Sequence, residues 1–271
     1  MILSLKDRAA QDSSVTGGKA SALARLMAAG FPVPDGVVIV ASGQTENDLR
    51  LDLPDGRLAV RSSGFSEDSQ GASFAGQFET ILGVQGLTET RAAVERCFAS
   101  FSNQRSDAYR ATRGDGPSGG AVIVQRLIAA EAAGVAFTVD PVSGATDRVL
   151  IESNFGLGES VVGGHVTPDG FVVRKDSNEI IERRLANKKL QSVLDTSGTR
   201  LEEVPPELSR KPSLDDDAIR EIAMLASRVE QHYGSPVDIE WAWQGNRAHL
   251  LQARPVTAAG GVRPSNPGYS H

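Results

Sequence analysis

The stretch Val237-Asp238-Ile239-Glu240-Trp241-Ala242-Trp243-Gln244-Gly245-Asn246-Arg247-Ala248-His249-Leu250-Leu251-Gln252-Ala253-Arg254-Pro255 reads as two short strands around a turn. Alternate side chains of a strand share a face, so Asp238 and Glu240 point one way together, and so do Gln252 and Arg254. Four polar groups inside otherwise apolar strands are costly to bury without partners. Two arrangements satisfy them. One is a buried ion pair such as Asp238–Arg254; the other is a divalent cation held by Glu240 and Gln252 oxygens, beside Arg254 and a polyphosphate. The second requires Glu240 opposite Gln252 and Asp238 opposite Arg254. That register puts Gln244 opposite Ala248 across a three-residue loop, Gly245-Asn246-Arg247, of the kind that uses a left-handed residue and a bulge.

Immediately upstream, Ser213-Leu214-Asp215-Asp216 resembles a capping box opening a helix. Ile219, Ile222, Ala226 and Val229 supply its apolar face and Gly234 closes it. Further back, AVIVQRLI, GVAFTV, RVLIESN and GFVVRK are strand-like runs bounded by Gly, Pro and Asp. GDGPSGG at 114–120 is the clearest break, and a lobe boundary is expected there. Before it, a long helix is expected from Thr88 to about Arg113, with Val94, Cys97, Phe98 and Phe101 on one face. GVVIV at 36–40 and RLAV at 57–60 read as short buried strands, and Gly18 to Gly30 as a helix stopped by Gly30, Pro32 and Pro34. The fold class is mixed α/β rather than strictly alternating.

Two further motifs suit phosphate chemistry. Gly17-Gly18-Lys19 opens the first helix, where close-approaching amides, the helix dipole and a lysine favour an anion. It lacks the GxxxxGK[ST] spacing, and an ordinary helix start fits as well. Arg61-Ser62-Ser63-Gly64 follows the buried run LAV, with Ser73-Phe74-Ala75-Gly76-Gln77 a little further on. An arginine leaving a buried strand beside a Ser/Gly-rich loop suits bidentate phosphate binding, and a surface arginine next to a loop is the alternative. Gln125 and Leu127 leave another buried strand, where backbone groups suit a nucleobase or simply end a strand. Gly156-Leu157-Gly158-Glu159 reads as a glycine-rich lid or a set of turns. His165, His232 and His249 have no metal-ligand spacing and read as structural.

The 271 residues carry 28 Lys+Arg against 34 Asp+Glu, a formal charge of −6, which argues against a coat for nucleic acid or anionic membrane. The single cysteine, Cys97, leaves no intramolecular disulfide and reads as a small core residue. No apolar run reaches signal-peptide or membrane-span length, so the expected location is cytoplasmic. The tail AAGGVRPSNPGYSH reads as a linker.

Five separated segments together resemble the nucleotide-binding domain of phosphoenolpyruvate synthase, pyruvate phosphate dikinase and rifampin phosphotransferase. They are GGKASALARLMAAGFPVPDGVVI, LAVRSSGFSEDSQGASFAGQFETIL, QRLIAAEAAGVAFTVDPVSG, GLGESVVGGHVTPDG and YGSPVDIEWAWQGNRAHLLQARPV, in family order from about residue 15 to 257. The resemblance implies an ATP-grasp fold: an N-terminal lobe over 1–115, shortened between 41 and 57, a C-terminal lobe over 116–258 and a flexible tail over 259–271. It implies ATP and Mg²⁺ as cofactors. Lys19 and Arg61 would hold the phosphates, and Ser73, Gly76 and Gln77 would lie in a flap over them. Gln125 and Leu127 would line the adenine pocket, Glu240 and Gln252 would ligate magnesium beside Asp238, and Arg254 would stabilise the transferring phosphoryl. In such proteins ATP gives its β-phosphoryl to a histidine on a swivelling domain, which then phosphorylates a small-molecule substrate. No histidine here sits in the family's histidine-loop sequence, so that carrier is expected on a separate chain or on another part of a longer protein. A self-contained ATP-grasp kinase or ligase, and a non-enzymatic nucleotide-binding module, are the alternatives.

Overall fold

A computed structural model describes residues 1–40, 53–65, 79–111, 119–196 and 198–256, with side chains omitted over 102–111. Ser73, Gly76, Gln77, most of the shortened segment after Val40, most of GDGPSGG and the tail lie outside the described residues. The chain forms two compact units, Met1–Leu127 with Asp195–Thr199, and Ile128–Leu194 with Arg200–His271.

The first unit holds a five-stranded sheet of order β1-β2-β5-β3-β4, with β1 Ile2–Ser4, β2 Gly36–Ile39, β3 Leu58–Gly64, β4 Thr80–Val84 and β5 Gly120–Arg126. Among the described residues its α-helices are α1, Ser13–Ala28, and α2, Gly86–Ala111. β5 pairs with β2 on one side and with β3 on the other, so it belongs to the middle of this sheet. The division therefore falls after Leu127, later than the expected 115/116 boundary. Long-range pairing, not the Gly-rich break, decides it. Leu58, Val60, Val122 and Val124 pack on Val94, Cys97 and Phe101 of α2, with Phe98 partly buried against them. Alternation then turns Ala59, Arg61 and Ser63 to the opposite face, where α1 packs. Burial pushes the Cys97 thiol up to about 12, so it is a core residue and not a nucleophile.

α1 begins earlier than expected, capped by Asp12, whose carboxylate accepts from the Ser14 amide at 2.9 Å. Gly17, at φ 78°, breaks it into two segments, so the expected start at Gly18 is that of the second. Gly30, at φ 82°, ends it.

The second unit is a six-stranded antiparallel sheet of order β13-β12-β6-β7-β8-β9. Its strands are β6 Ala132–Phe137, β7 Arg148–Phe155, β8 Asp169–Arg174, β9 Ile180–Arg184, β12 Val237–Trp243 and β13 Ala248–Pro255. α3, Glu159–Val162, and a separate pair of strands, β10 Leu190–Asp195 and β11 Gly198–Glu203, are inserted between them. α4, Asp216–Tyr233, packs its Ile219, Ile222, Ala226 and Val229 face on the sheet, and Gly234 closes it at φ 70° with its amide on the Glu230 carbonyl. The cap is Asp215, which accepts from the Ala218 amide at 2.8 Å, and not Ser213. The Ser213 hydroxyl is engaged by Ser153 and Asp169 instead.

Candidate functional site

β12 and β13 carry the polar set, and the pairing is the one the site needs. Asp238 lies opposite Arg254 and Glu240 opposite Gln252. The turn differs from expectation. Gln244 donates its amide to the Arg247 carbonyl, leaving a two-residue loop of Gly245 and Asn246, at φ 58° and 60°. Both residues are left-handed, as the tight hairpin turn requires. That loop alone would set Glu240 against Leu251. A bulge restores the register: Trp241 pairs with Leu250 and Glu240 with Gln252, so Leu251 is the extra residue. Leu251 packs with Ile128, Ala133 and Ala242, and Ala242 shares the face of Glu240. The bulge thus sets an apolar side chain next to the polar pair.

Of the two arrangements, the ion pair is present. Arg254 Nε and Nη2 both reach Asp238 Oδ2, at 2.8 and 2.7 Å. The aspartate side chain is 8% exposed and the arginine 54%, so a buried carboxylate holds a half-exposed guanidinium. Burial raises the Asp238 carboxyl above its usual range, Arg254 pulls it back, and neighbouring Glu240 raises it further. Glu240 and Gln252 are half-buried. A cleft of about 610 Å³ opens on this face, lined among others by Asp238, Glu240, Arg254, Glu152 and Arg184.

Glu152 and Arg184 escaped the sequence reading. One row across the sheet runs Gln252, Glu240, Val135, Glu152, Gly170, Arg184. Gly170 leaves room for the arginine: a Cβ there would stand 3.0 Å from Arg184 Nη2. Burial raises the Glu152 carboxyl, with Arg184 opposing. The available signal was a lone carboxylate inside the buried run RVLIESN.

In the first unit, the two motifs expected to hold phosphate come together. Ser63 Oγ accepts the Ala20 amide at 3.0 Å, so the turn bearing Lys19 sits against the strand bearing Arg61. Arg61 is buried, 8% exposed, and Lys19 half-buried. Gln125 is buried with Nε2 on the Pro34 carbonyl at 2.8 Å, and the Leu127 amide goes to the Arg57 carbonyl. Those two groups are engaged within the unit. His165 is exposed, its amide on the Ser160 carbonyl.

The donor chemistry fits magnesium: two side-chain oxygens on adjacent strands suit a cation that keeps water and phosphate in its remaining positions. Among the described residues, no three His, Cys, Asp or Glu side chains cluster as a metal site of their own. No helix among them is long and apolar enough to cross a membrane.

A family model described as the pyruvate phosphate dikinase AMP/ATP-binding domain matches residues 43–266. The probable phosphoenolpyruvate synthase of Methanocaldococcus jannaschii is 42% identical over 203 residues, covering 74% of this chain and 17% of that protein. The rifampicin phosphotransferase of Streptomyces sp is 37% identical over 229 residues, covering 83% of this chain and 26% of that protein. Among solved structures, D-alanine–D-alanine ligase from Helicobacter pylori aligns at 13% identity and a TM-score of 0.43, over 86% of this chain and 52% of that one. The chain spans between 17% and 34% of the length of such curated relatives. On the match over most of its length, the chain belongs to the pyruvate phosphate dikinase AMP/ATP-binding domain family, and shares its mixed α/β, ATP-grasp class.

Proposed function

We propose that this chain is the ATP-binding part of a phosphotransferase like phosphoenolpyruvate synthase or rifampicin phosphotransferase. It binds Mg-ATP in the cytoplasm and passes the β-phosphoryl, with release of AMP, to a histidine on a separate domain or protein. That carrier then phosphorylates a small molecule, pyruvate-like or antibiotic-like. The observation that supports this most is the bulge-restored register, which sets Glu240 opposite Gln252 beside an Arg254 fixed by Asp238.

Lys19 and Arg61 hold the phosphates by charge and direct hydrogen bonds. Gln125 and Leu127 lie along the adenine. Glu240 and Gln252 hold magnesium, which when bound neutralises phosphate charge and polarises the oxygens it touches. Arg254 matters most once the phosphoryl is in flight, because its guanidinium is held in advance and needs no reorganisation. By itself the protein turns ATP over slowly. Water replaces a positioned imidazole poorly, and positioning a nucleophile is worth roughly 7–11 kcal/mol.

Titration calorimetry with and without magnesium tests the metal pair. Glu240→Ala and Gln252→Ala weaken Mg-ATP more than metal-free ATP, whereas equal losses would make those residues structural. Arg254→Ala keeps binding within about tenfold and loses turnover. With ATP labelled at the β-phosphorus and a separate histidine domain, AMP appears and the label becomes acid-labile on that domain. Fast turnover by this chain alone, or label on His165, His232 or His249, would favour the self-contained kinase.

A further inference from the structure

Gly17 stands where the second segment of α1 needs a cap. Its φ of 78° ends the first segment, and a glycine has no side-chain oxygen to accept from the exposed amides of the next turn. That oxygen arrives from β3. Ser63 Oγ accepts the amide of Ala20, the third residue of the new segment, at 3.0 Å. Ser63 is fully buried, and space for it is made on both sides by glycines. A Cβ on Gly17 would lie 2.3 Å from the Ser63 carbonyl oxygen and 2.6 Å from Oγ, and a Cβ on Gly120 would lie 2.3 Å from the same carbonyl. Neither position tolerates a side chain without moving the strand, and at Gly17 the backbone is strained as well.

Arg61 lies two residues before Ser63 on the same strand, so both side chains emerge on the α1 face. One strand therefore carries a phosphate-holding arginine and also fixes the turn from which Lys19 projects. We infer that Ser63 is a positioning residue: its hydroxyl caps the Lys19 turn from outside the helix and sets the distance between Lys19 and Arg61. This rests on the reading that Lys19 and Arg61 hold the ATP phosphates. It adds a residue that touches no ligand and acts through the helix start.

The test is a double-mutant cycle on the full chain, with ATP and adenosine as ligands. Ser63→Ala weakens ATP about three- to tenfold, the range that loss of a capping oxygen implies, and leaves adenosine affinity unchanged. In a Lys19→Ala background the same substitution has little further effect, because the group it positions is gone. Hydrogen exchange of the Ala20 amide is faster in Ser63→Ala. If the alanine variant does not fold, Ser63→Cys keeps the volume with a weaker acceptor and is read the same way. Equal losses of ATP and adenosine, or fully additive effects with Lys19→Ala, would reduce Ser63 to a packing residue and overturn the inference alone. Unchanged ATP affinity in Lys19→Ala would instead overturn the phosphate-holding reading, and the inference with it.

Discussion

Asp169 and Asp238 are both buried carboxylates on the second sheet, each facing a cation, and their surroundings differ at every other point. Asp169 meets Lys188 Nζ at 2.8 Å with both side chains fully buried. Its oxygens also accept the Ala186 amide and the amide and hydroxyl of Ser213, each at 2.8 Å. Lys188 lies over the Phe155 ring, 5.3 Å from its centroid. Every lone pair is used, and the cluster ties β8 to the segments entering β10 and α4. Asp238 gives one oxygen to Arg254, and both residues line the cleft. The first pair is sealed inside the fold; the second keeps its arginine half-exposed at the cleft.

The largest effect should come from breaking the saturated pair. Lys188→Ala leaves a carboxylate buried and uncompensated, at a cost of about 3–5 kcal/mol. For a chain of this size that lowers the melting temperature by roughly 10 °C. A loss of only a degree or two would mean that Asp169 reaches water once the lysine is gone, and the contrast with Asp238 would fall.

Arg254→Ala should cost much less stability, within about 1 kcal/mol, because the guanidinium is half in solvent. Its pH dependence is the sharper reading. Burial already raises the Asp238 carboxyl above 3.8, and Arg254 opposes that rise. Without the arginine the folded value climbs further, so ionising Asp238 costs more. The deficit is present at neutral pH and shrinks as pH falls through the raised folded values, below which the carboxyl is protonated in both proteins. Unfolding curves at pH 7 and pH 4 check this, and a deficit of equal size at both would show lost packing instead of lost charge.

The smallest change belongs to Glu152, whose raised carboxyl means that the folded state prefers its neutral form. Its contribution falls as pH rises from 4.5 through the raised folded value. Glu152→Gln should therefore melt about 1–3 °C higher near neutral pH and match the parent below pH 4.5. A lower melting temperature at neutral pH would show that Arg184 outweighs the burial of Glu152.

The polar face of the hairpin was legible because polar residues two apart in apolar strands announce a shared side. The turn was not: a three-residue loop was expected, and the loop has two residues with the bulge further along, at Leu251. A Gly-Asn turn at positive φ with a bulge downstream gives the same parity by another route. Asp215 takes the cap of α4 because Ser213 is occupied by Asp169, a contact across more than forty positions that no local pattern carries. β9 was missed because its Glu182-Arg183-Arg184 is exposed and looks like a solvated loop. Lys188 was missed for the opposite reason: it sits between the exposed Asn187 and Lys189 in a run that resembles surface, yet is itself buried.

The bulge at Leu251 also governs how this hairpin can vary in length. With the two-residue turn kept, deleting Leu251 would bring Gln252 into the vacated place, still opposite Glu240. Adding one residue at the turn while losing the bulge leaves the same pair aligned. Deleting Leu251, or widening the turn at constant length, is therefore silent for the pairing of Glu240 with Gln252. Between such variants the difference lies in whether an apolar side chain joins Ile128, Ala133 and Ala242. At this corner of the sheet, chain length and the pairing of Glu240 with Gln252 are uncoupled.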